Sequence, residues 1–281
     1  MTLSMAWIRT VNQVTELVFA SDSRLRGGEA WDYGPKIFTL PRSDCLISFA
    51  GVTARAYPLI LQMAHGIEFF PKSHNRSADI TVAKGIAIDV LNQMREAIFD
   101  FPVGQTAAGD PEVSFIFGGF SWWLDRFVIW TLHYDREIDR FTFRPATSWG
   151  GGNEAKKIAI VGNAKDEAKE RLIKLLKNRG KLNGDGFDME PFEVLRDIIR
   201  DEVDPTIGGA PQVAKVYRYM RTQHFAVEWP QSAARPHALG RPAMDYEQFG
   251  LPIIDPDRPD FKPKRMRQET EDLSEIQTGD L

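Results

Sequence analysis

The 281-residue sequence predicts an α+β fold, two antiparallel sheets packed on one another with helix pairs outside them. Period-two runs come in blocks, and helical-period runs come in adjacent pairs between those blocks. No sustained strand–helix–strand alternation, which a parallel βαβ chain would require, is present. Hydrophobic residues make up 43% of the chain and aromatics 11%, enough apolar side chain to fill such a body.

The first block starts at once, with Leu3, Met5 and Trp7 alternating with Ser4, Ala6 and Ile8. Residues 2–11 (TLSMAWIRTV) and 16–23 (ELVFASDS) read as two strands around a turn at Asn12-Gln13. Two registers are open. A turn centred on Asn12 sets Thr2 opposite Asp22, whereas a two-residue turn on Asn12-Gln13 sets Leu3 there, and no Asn-Gly forces the choice. The runs KIFTL and CLISFAG follow as strands on either side of PRSD. Residues 52–70 turn helical, with Ile60, Ala64 and Ile67 on one stripe. After PKSHNRS a second helix is expected over residues 77–101, where Ala83, Ala87, Val90, Met94 and Ile98 recur at helical spacing. EVSFIFGGF, RFVIWTLHYD, RFTFRPA and KKIAIVG form the second block of strands. The second helix pair is AKDEAKERLIKLLKN, ended by Gly180, and MEPFEVLRDIIRDEV, for which Asp188 is the expected N-cap. QVAKVYRYM and HFAVEW are the closing strands.

Residues 1–228 are therefore expected to form one domain. Beyond them seven of the chain's 17 prolines gather without periodicity, so residues 229–281 read as a Pro-rich, charged tail, extended or disordered. A formal charge of −4 and a pI near 5.8 argue against nucleic acid as a partner. No apolar run reaches the roughly 20 residues a membrane span needs, and there is no secretory leader, so a cytoplasmic protein is expected. The single cysteine, Cys45, lies in an apolar strand and reads as a buried hydrophobe in a reducing compartment.

The chemistry lies at the start of the chain. Methionine is ordinarily removed ahead of a small residue, and its loss here would give Thr2 both a hydroxyl and a free α-amine. With an ordinary pKa of about 7.7–8.0, that amine is a base poised near neutrality on the same residue as its nucleophile.

Three further elements carry a family resemblance. Asp22 within SDSR, Lys36 within PKI, and Ala50-Gly51 followed by Ala54 occur, in that order after Thr2, in a pattern that resembles proteasome β-subunits and their bacterial homologues. These are N-terminal-nucleophile (Ntn) hydrolases, and the Met-Thr start resembles the bacterial members, including the Anbu group. The resemblance implies a four-layer αββα sandwich and a threonine-type peptidase or amidohydrolase without metal or organic cofactor. It implies that Thr2 attacks the scissile carbonyl, that Lys36 favours its alkoxide, that Asp22 holds Lys36 charged, and that the Gly51 N–H donates to the oxyanion. Phe49 and Thr53 would line the primary specificity pocket, where a phenylalanine disfavours bulky side chains. The competing reading of Phe49 is a core aromatic. Asp204, before Gly208-Gly209, and Asn163, after Gly162, would support the nucleophile. The family has serine where this chain has Ile207, and a Gly-Ser-Gly where it has Gly162-Asn163, departures that also fit an inactive scaffold subunit. Homo-oligomeric rings or helical assemblies, peptide or protein substrates and an ATP-dependent unfoldase are the partners implied.

The rest of the sequence offers little chemistry. Five histidines show no metal-ligand spacing, so each reads as structural or solvated. Trp149 and the glycines after it read as a flexible link. Trp122-Trp123 divides between core packing and a subunit contact.

Overall fold

The computed structural model describes residues 2–26, 29–97, 111–149, 156–184, 186–202, 204–229, 235–248, 250–259 and 264–265. The glycines at 150–152 and the end of the helix expected to reach residue 101 lie outside these.

The opening hairpin joins β1 (Leu3–Val11) to β2 (Val14–Ser21). Its pairs run from Ser4 with Ser21 to Val11 with Val14, leaving a two-residue turn in which Asn12 and Gln13 have φ of 50° and 66°. Two positive φ angles are what a type I′ turn demands, and that turn matches the twist of the strands it joins. The register is thus the second of the two open ones. Leu3 stands level with Asp22, and the Asp22 N–H donates to the Leu3 carbonyl at 3.3 Å.

A small pair, β3 (Leu25–Arg26) with β4 (Ala30–Trp31), leads to the strands of the five-stranded sheet. These are β5 (Ile37–Leu40), β6 (Arg42–Gly51), β7 (Val113–Ser121), β8 (Arg126–Asp135) and β9 (Arg140–Pro145), side by side in chain order. The larger sheet adds β10 (Thr147–Ser148), β11 (Lys157–Gly162), β12 (Gln212–Tyr217) and β13 (Arg221–Val227) around the opening hairpin, in the order β10-β11-β1-β2-β12-β13. It continues through β14 (His237–Ala238), β15 (Arg241–Pro242), β16 (Pro252–Ile254) and β17 (Lys264–Arg265). Both sheets are antiparallel except where β16 pairs in parallel with β13. Five helices complete the described fold: α1 (Thr53–Glu68), α2 (Pro71–His74), α3 (Ile80–Glu96), α4 (Lys165–Asn178) and α5 (Glu190–Asp201).

Strand alternation sorts the apolar residues into three cores. On β1, Leu3, Met5 and Trp7 pack with Leu172 and Leu176 of α4 and Leu195 and Ile198 of α5. The opposite face, with Ala6 and Ile8, meets Leu46, Ile116 and Ile129 of the five-stranded sheet. That sheet's other face buries Ile47, Phe49 and Phe117 against Leu59 and Met63 of α1 and Ala83 and Leu91 of α3.

Several expectations are corrected. α3 begins later than expected because Asp79 caps it, accepting the Thr81 N–H at 2.9 Å. The polar break PKSHNRS contains α2, which Pro71 starts. α5 follows Met189, not Asp188, whose carboxylate is held by Arg9 at 2.6 Å. Trp122 and Trp123 are 45% and 72% exposed, so neither is a core residue. The segment read as an extended or disordered tail contributes β14–β17 to the larger sheet, with His237, Ala243, Ile253 and Ile254 buried. Its prolines obscured the strands because they sit at strand edges and ends, where no ladder N–H is required.

Gln13 is held at a φ that costs an L-residue about 1–2 kcal/mol and glycine almost nothing. Gln13→Gly is expected to stabilise the protein by about 0.5–1 kcal/mol, read as a rise of a few degrees in the thermal midpoint. A fall in the midpoint would show that the turn is not strained there.

Candidate active site

Thr2 shares strand parity with Ser4, Ala6 and Ile8, which places its side chain on the face of the larger sheet that meets the other sheet. Lys36 precedes β5 in that other sheet. Its ammonium spans the gap, donating to Thr2 Oγ1 at 2.9 Å and to Asp22 Oδ1 at 2.8 Å. Thr2 is 2% exposed, and Asp22 and Lys36 are completely buried.

An ammonium without water must be met by other groups, because burial of an unpaired charge costs several kcal/mol. Asp22 meets it and is itself surrounded by donors. Its Oδ1 also accepts the Leu3 N–H at 3.1 Å, and its Oδ2 accepts the Arg24 and Gly208 N–H groups, each at 3.2 Å. Burial pushes the Lys36 ammonium below its usual pKa of 10.5, while the Asp22 carboxylate opposes that shift.

A second set of polar groups fixes the backbone beneath this triad. Gln212 Oε1 accepts the Lys36 N–H at 3.0 Å, while its Nε2 donates to the Gly34 carbonyl at 2.7 Å and to Ser23 Oγ at 2.9 Å. Ser23 Oγ in turn donates to the Ala210 carbonyl. Ser4 Oγ donates across the sheets to the Phe49 carbonyl at 2.9 Å and lies 2.7 Å from Ser21 Oγ. Arg24 pairs with Asp32 and reaches the Ile207 carbonyl at 3.4 Å. The sequence reading passed over Ser4, Ser21, Ser23, Arg24 and Gln212. For Ser4, Ser21 and Gln212 the signal was present: polar residues stand at buried strand positions, where a side chain needs partners.

Gly51 and Gly162 flank the site at φ of 123° and 116°. A methyl on Gly162 would lie 1.7 Å from the Thr2 carbonyl oxygen, and one on Gly51 would lie 2.1 Å from the Glu112 carbonyl oxygen. Both glycines line a cleft of about 1360 Å³ between the sheets, whose walls also include Asn163, Trp149 and Arg144.

Among the described residues, no side chain of the remaining expected set hydrogen-bonds to Thr2, although Asn163 follows the Gly162 that pairs with Leu3. Asp204 Oδ1 accepts the Thr206 N–H at 2.8 Å and hydroxyl at 2.5 Å, closing a local turn. Ile207, in the place of the expected serine, packs in the core against α4 and α5. Gly208 supplies the link from this segment to Asp22, and it does so through its backbone. Asn163 is exposed, in the turn before α4 and on the cleft wall. Phe49 is fully buried, its ring edge-on to Tyr57 at 5.6 Å, and it is not part of the cleft wall. The core reading therefore describes its side chain. Thr53 is half-buried at the first position of α1. Among the described residues no group of three or more His, Cys, Asp and Glu side chains could hold a metal ion, and no helix is long and apolar enough to cross a membrane. Burial pushes the Cys45 thiol well above its usual pKa, which leaves it inert.

Two antiparallel sheets thus hold a strand-initial threonine against a buried lysine. No protein-family model and no curated protein matches the chain. Among solved structures it is similar to a Gly-1 mutant of Anbu from Hyphomicrobium sp. strain MC1, a bacterial proteasome-like Ntn-hydrolase homologue. That likeness has a TM-score of 0.52 at 14% identity and covers 85% of this chain and 87% of that one. It is a likeness of fold.

Gly162→Ala is expected to destabilise the protein by about 2 kcal/mol or more in denaturant titration, because a methyl there displaces the Thr2 main chain. Gly85→Ala, inside α3 with nothing within 4 Å of the new methyl, should instead stabilise by about 0.5–1 kcal/mol. Equal effects at the two positions would refute the close approach at Gly162.

Proposed function

We propose that the protein is an N-terminal threonine hydrolase that cleaves peptide or amide bonds through an acyl-enzyme on Thr2, exposed by removal of Met1, in a homo-oligomeric assembly. The observation that carries this reading is the Lys36 ammonium, buried and divided between Thr2 Oγ1 and Asp22 Oδ1. The three apolar clusters support reading the layers as an αββα sandwich with the nucleophile between the sheets.

In this reading Thr2 Oγ bonds to the scissile carbonyl carbon while its proton passes to the Thr2 α-amine. The Lys36 ammonium stabilises the charge on Oγ, and the Gly51 N–H donates to the carbonyl oxygen as that oxygen becomes an oxyanion. The carbon–nitrogen bond then breaks, and the leaving amine takes the proton from the α-amine. A water, deprotonated by the same amine, attacks the ester. The acid leaves and the proton returns to Oγ. No metal or organic cofactor takes part.

The second reading is a non-catalytic proteasome-like scaffold. It is favoured by the Asp204 carboxylate, which is engaged by Thr206 and not by the nucleophile, and by Ile207 in place of a hydroxyl.

The intact mass of untagged protein separates the two. Loss of Met1, together with covalent labelling by an electrophilic peptide probe that Thr2→Ala abolishes, is the expected result; retained Met1, or an acetylated Thr2, leaves the scaffold. Lys36→Ala should lower the labelling rate by about 10²–10⁴ while Thr2→Ser retains measurable labelling. Because the amine must be neutral to accept the proton, labelling should rise with pH as that amine deprotonates. The midpoint should fall at or below its ordinary 7.7–8.0, since the Lys36 charge disfavours a second cation. A rate independent of pH between about 5 and 9 would exclude the amine as base.

A further inference from the structure

The cleft that runs from Gly51 and Gly162 is charged in one sense. Among the described residues its walls carry Arg136, Arg144, Lys165 and Lys169, four cations against the carboxylate of Glu112, in a chain whose formal charge is −4. His133 is also on the wall, but burial, with Arg144 beside it, holds the imidazole below its usual pKa, so it is neutral near pH 7.

The sorting is clearest on α4. This helix alternates acids and bases along its sequence, KDEAKERLIKLLKN. Only Lys165, Lys169 and Ile173 reach the cleft, a spacing of four residues that marks one helical face. Asp166, Glu167 and Glu170 are turned elsewhere, with Glu167 held by Arg171 at 2.6 Å. Arg144 faces α4 from the other sheet, on β9. Neither Arg144 nor Lys165 has an ion pair among the described residues, and both are exposed. Lys169 shares its charge with Asp166 at 3.3 Å, an exposed pair of little energetic weight. Cations on both walls of a cleft focus the field between them and raise the local concentration of anions.

We propose that this cleft selects acidic peptides, with carboxylate side chains of the substrate lying between Arg144 on one wall and Lys165 on the other. The proposal rests on the hydrolase reading for where the scissile bond sits, but binding itself requires no chemistry.

The test uses full-length protein carrying Thr2→Ala, so that nothing is consumed. Three dye-labelled peptides, identical except that every variable position is Glu, Gln or Lys, are titrated by fluorescence anisotropy. The Glu peptide should bind about tenfold more tightly than the Gln peptide, and the Lys peptide more weakly than either. The preference should shrink as ionic strength rises from about 0.1 M to about 1 M. Arg144→Glu combined with Lys165→Glu, both at exposed positions, should reverse the order while leaving the thermal midpoint unchanged. Equal affinities for the three peptides, or a preference that survives the double reversal, overturns the proposal. So does displacement of the Glu peptide by a single-stranded oligonucleotide of equal charge at lower concentration, which would make the cleft a phosphate-polymer site. Selective binding without turnover by the unmutated protein removes the hydrolase reading and leaves this one standing. Turnover without charge preference does the opposite.

Discussion

A buried ammonium on Lys36 is the constraint around which the two sheets are arranged. It cannot be left without partners, and the residues that satisfy it come from widely separated parts of the chain: Thr2 and Leu3 at the start, Asp22 after the first hairpin, Gly208 and Gln212 late in the sequence. Removing the carboxylate partner from such a pair leaves an uncompensated buried charge, at a cost of about 3–5 kcal/mol. That cost fixes the hairpin register. Only with Leu3 level with Asp22 can the Leu3 N–H and the Lys36 ammonium share one carboxylate oxygen.

From that register the cleft follows. Holding Thr2 against Lys36 brings its carbonyl oxygen so close to β11 that no side chain fits at Gly162, and Gly51 meets the Glu112 carbonyl under the same restriction. Both glycines line the cleft, and Gly162 is where β11 meets the Thr2 main chain. The cationic walls belong to the same cleft as Gly51 and Gly162.

Much of this was legible in the sequence, for physical reasons that can be named. Strand parity on β1 and β6 and the helical stripes of α1, α3 and α4 are period signals, and they survive because each element buries one face. Thr2, Asp22 and Lys36 were legible as a set through the order in which they resemble the proteasome β-subunit pattern; without it, Asp22 and Lys36 read as a turn acid and a strand-end lysine. Less visible were interactions whose partner is a backbone group. Gln212 positions Lys36 through a main-chain N–H, and Gly208 supports Asp22 in the same way, so neither side-chain pattern announces the contact. The register was hidden because both turns were compatible with the same residues. Beyond Trp229, prolines at strand edges masked the pairing of β14 and β16 with β13.

Stability alone gives little reason to keep Lys36 and Asp22. A fully buried ion pair can usually be replaced by apolar residues of similar volume at no loss, and often with a gain of a few kcal/mol. A wall-forming subunit would therefore be as well served by a leucine reaching into the same space. What an apolar residue cannot do is place a positive charge 2.9 Å from a buried threonine hydroxyl, where its influence on that oxygen is greatest. Strain lies close by: Gly162, at a positive φ, meets the main chain of the threonine whose hydroxyl the ammonium holds. Buried charge with a depressed lysine pKa beside a hydroxyl oxygen is a pattern that packing does not require. The loss of side-chain support at Ile207 weighs less, because the support that segment gives to Asp22 comes from the Gly208 N–H and needs no hydroxyl.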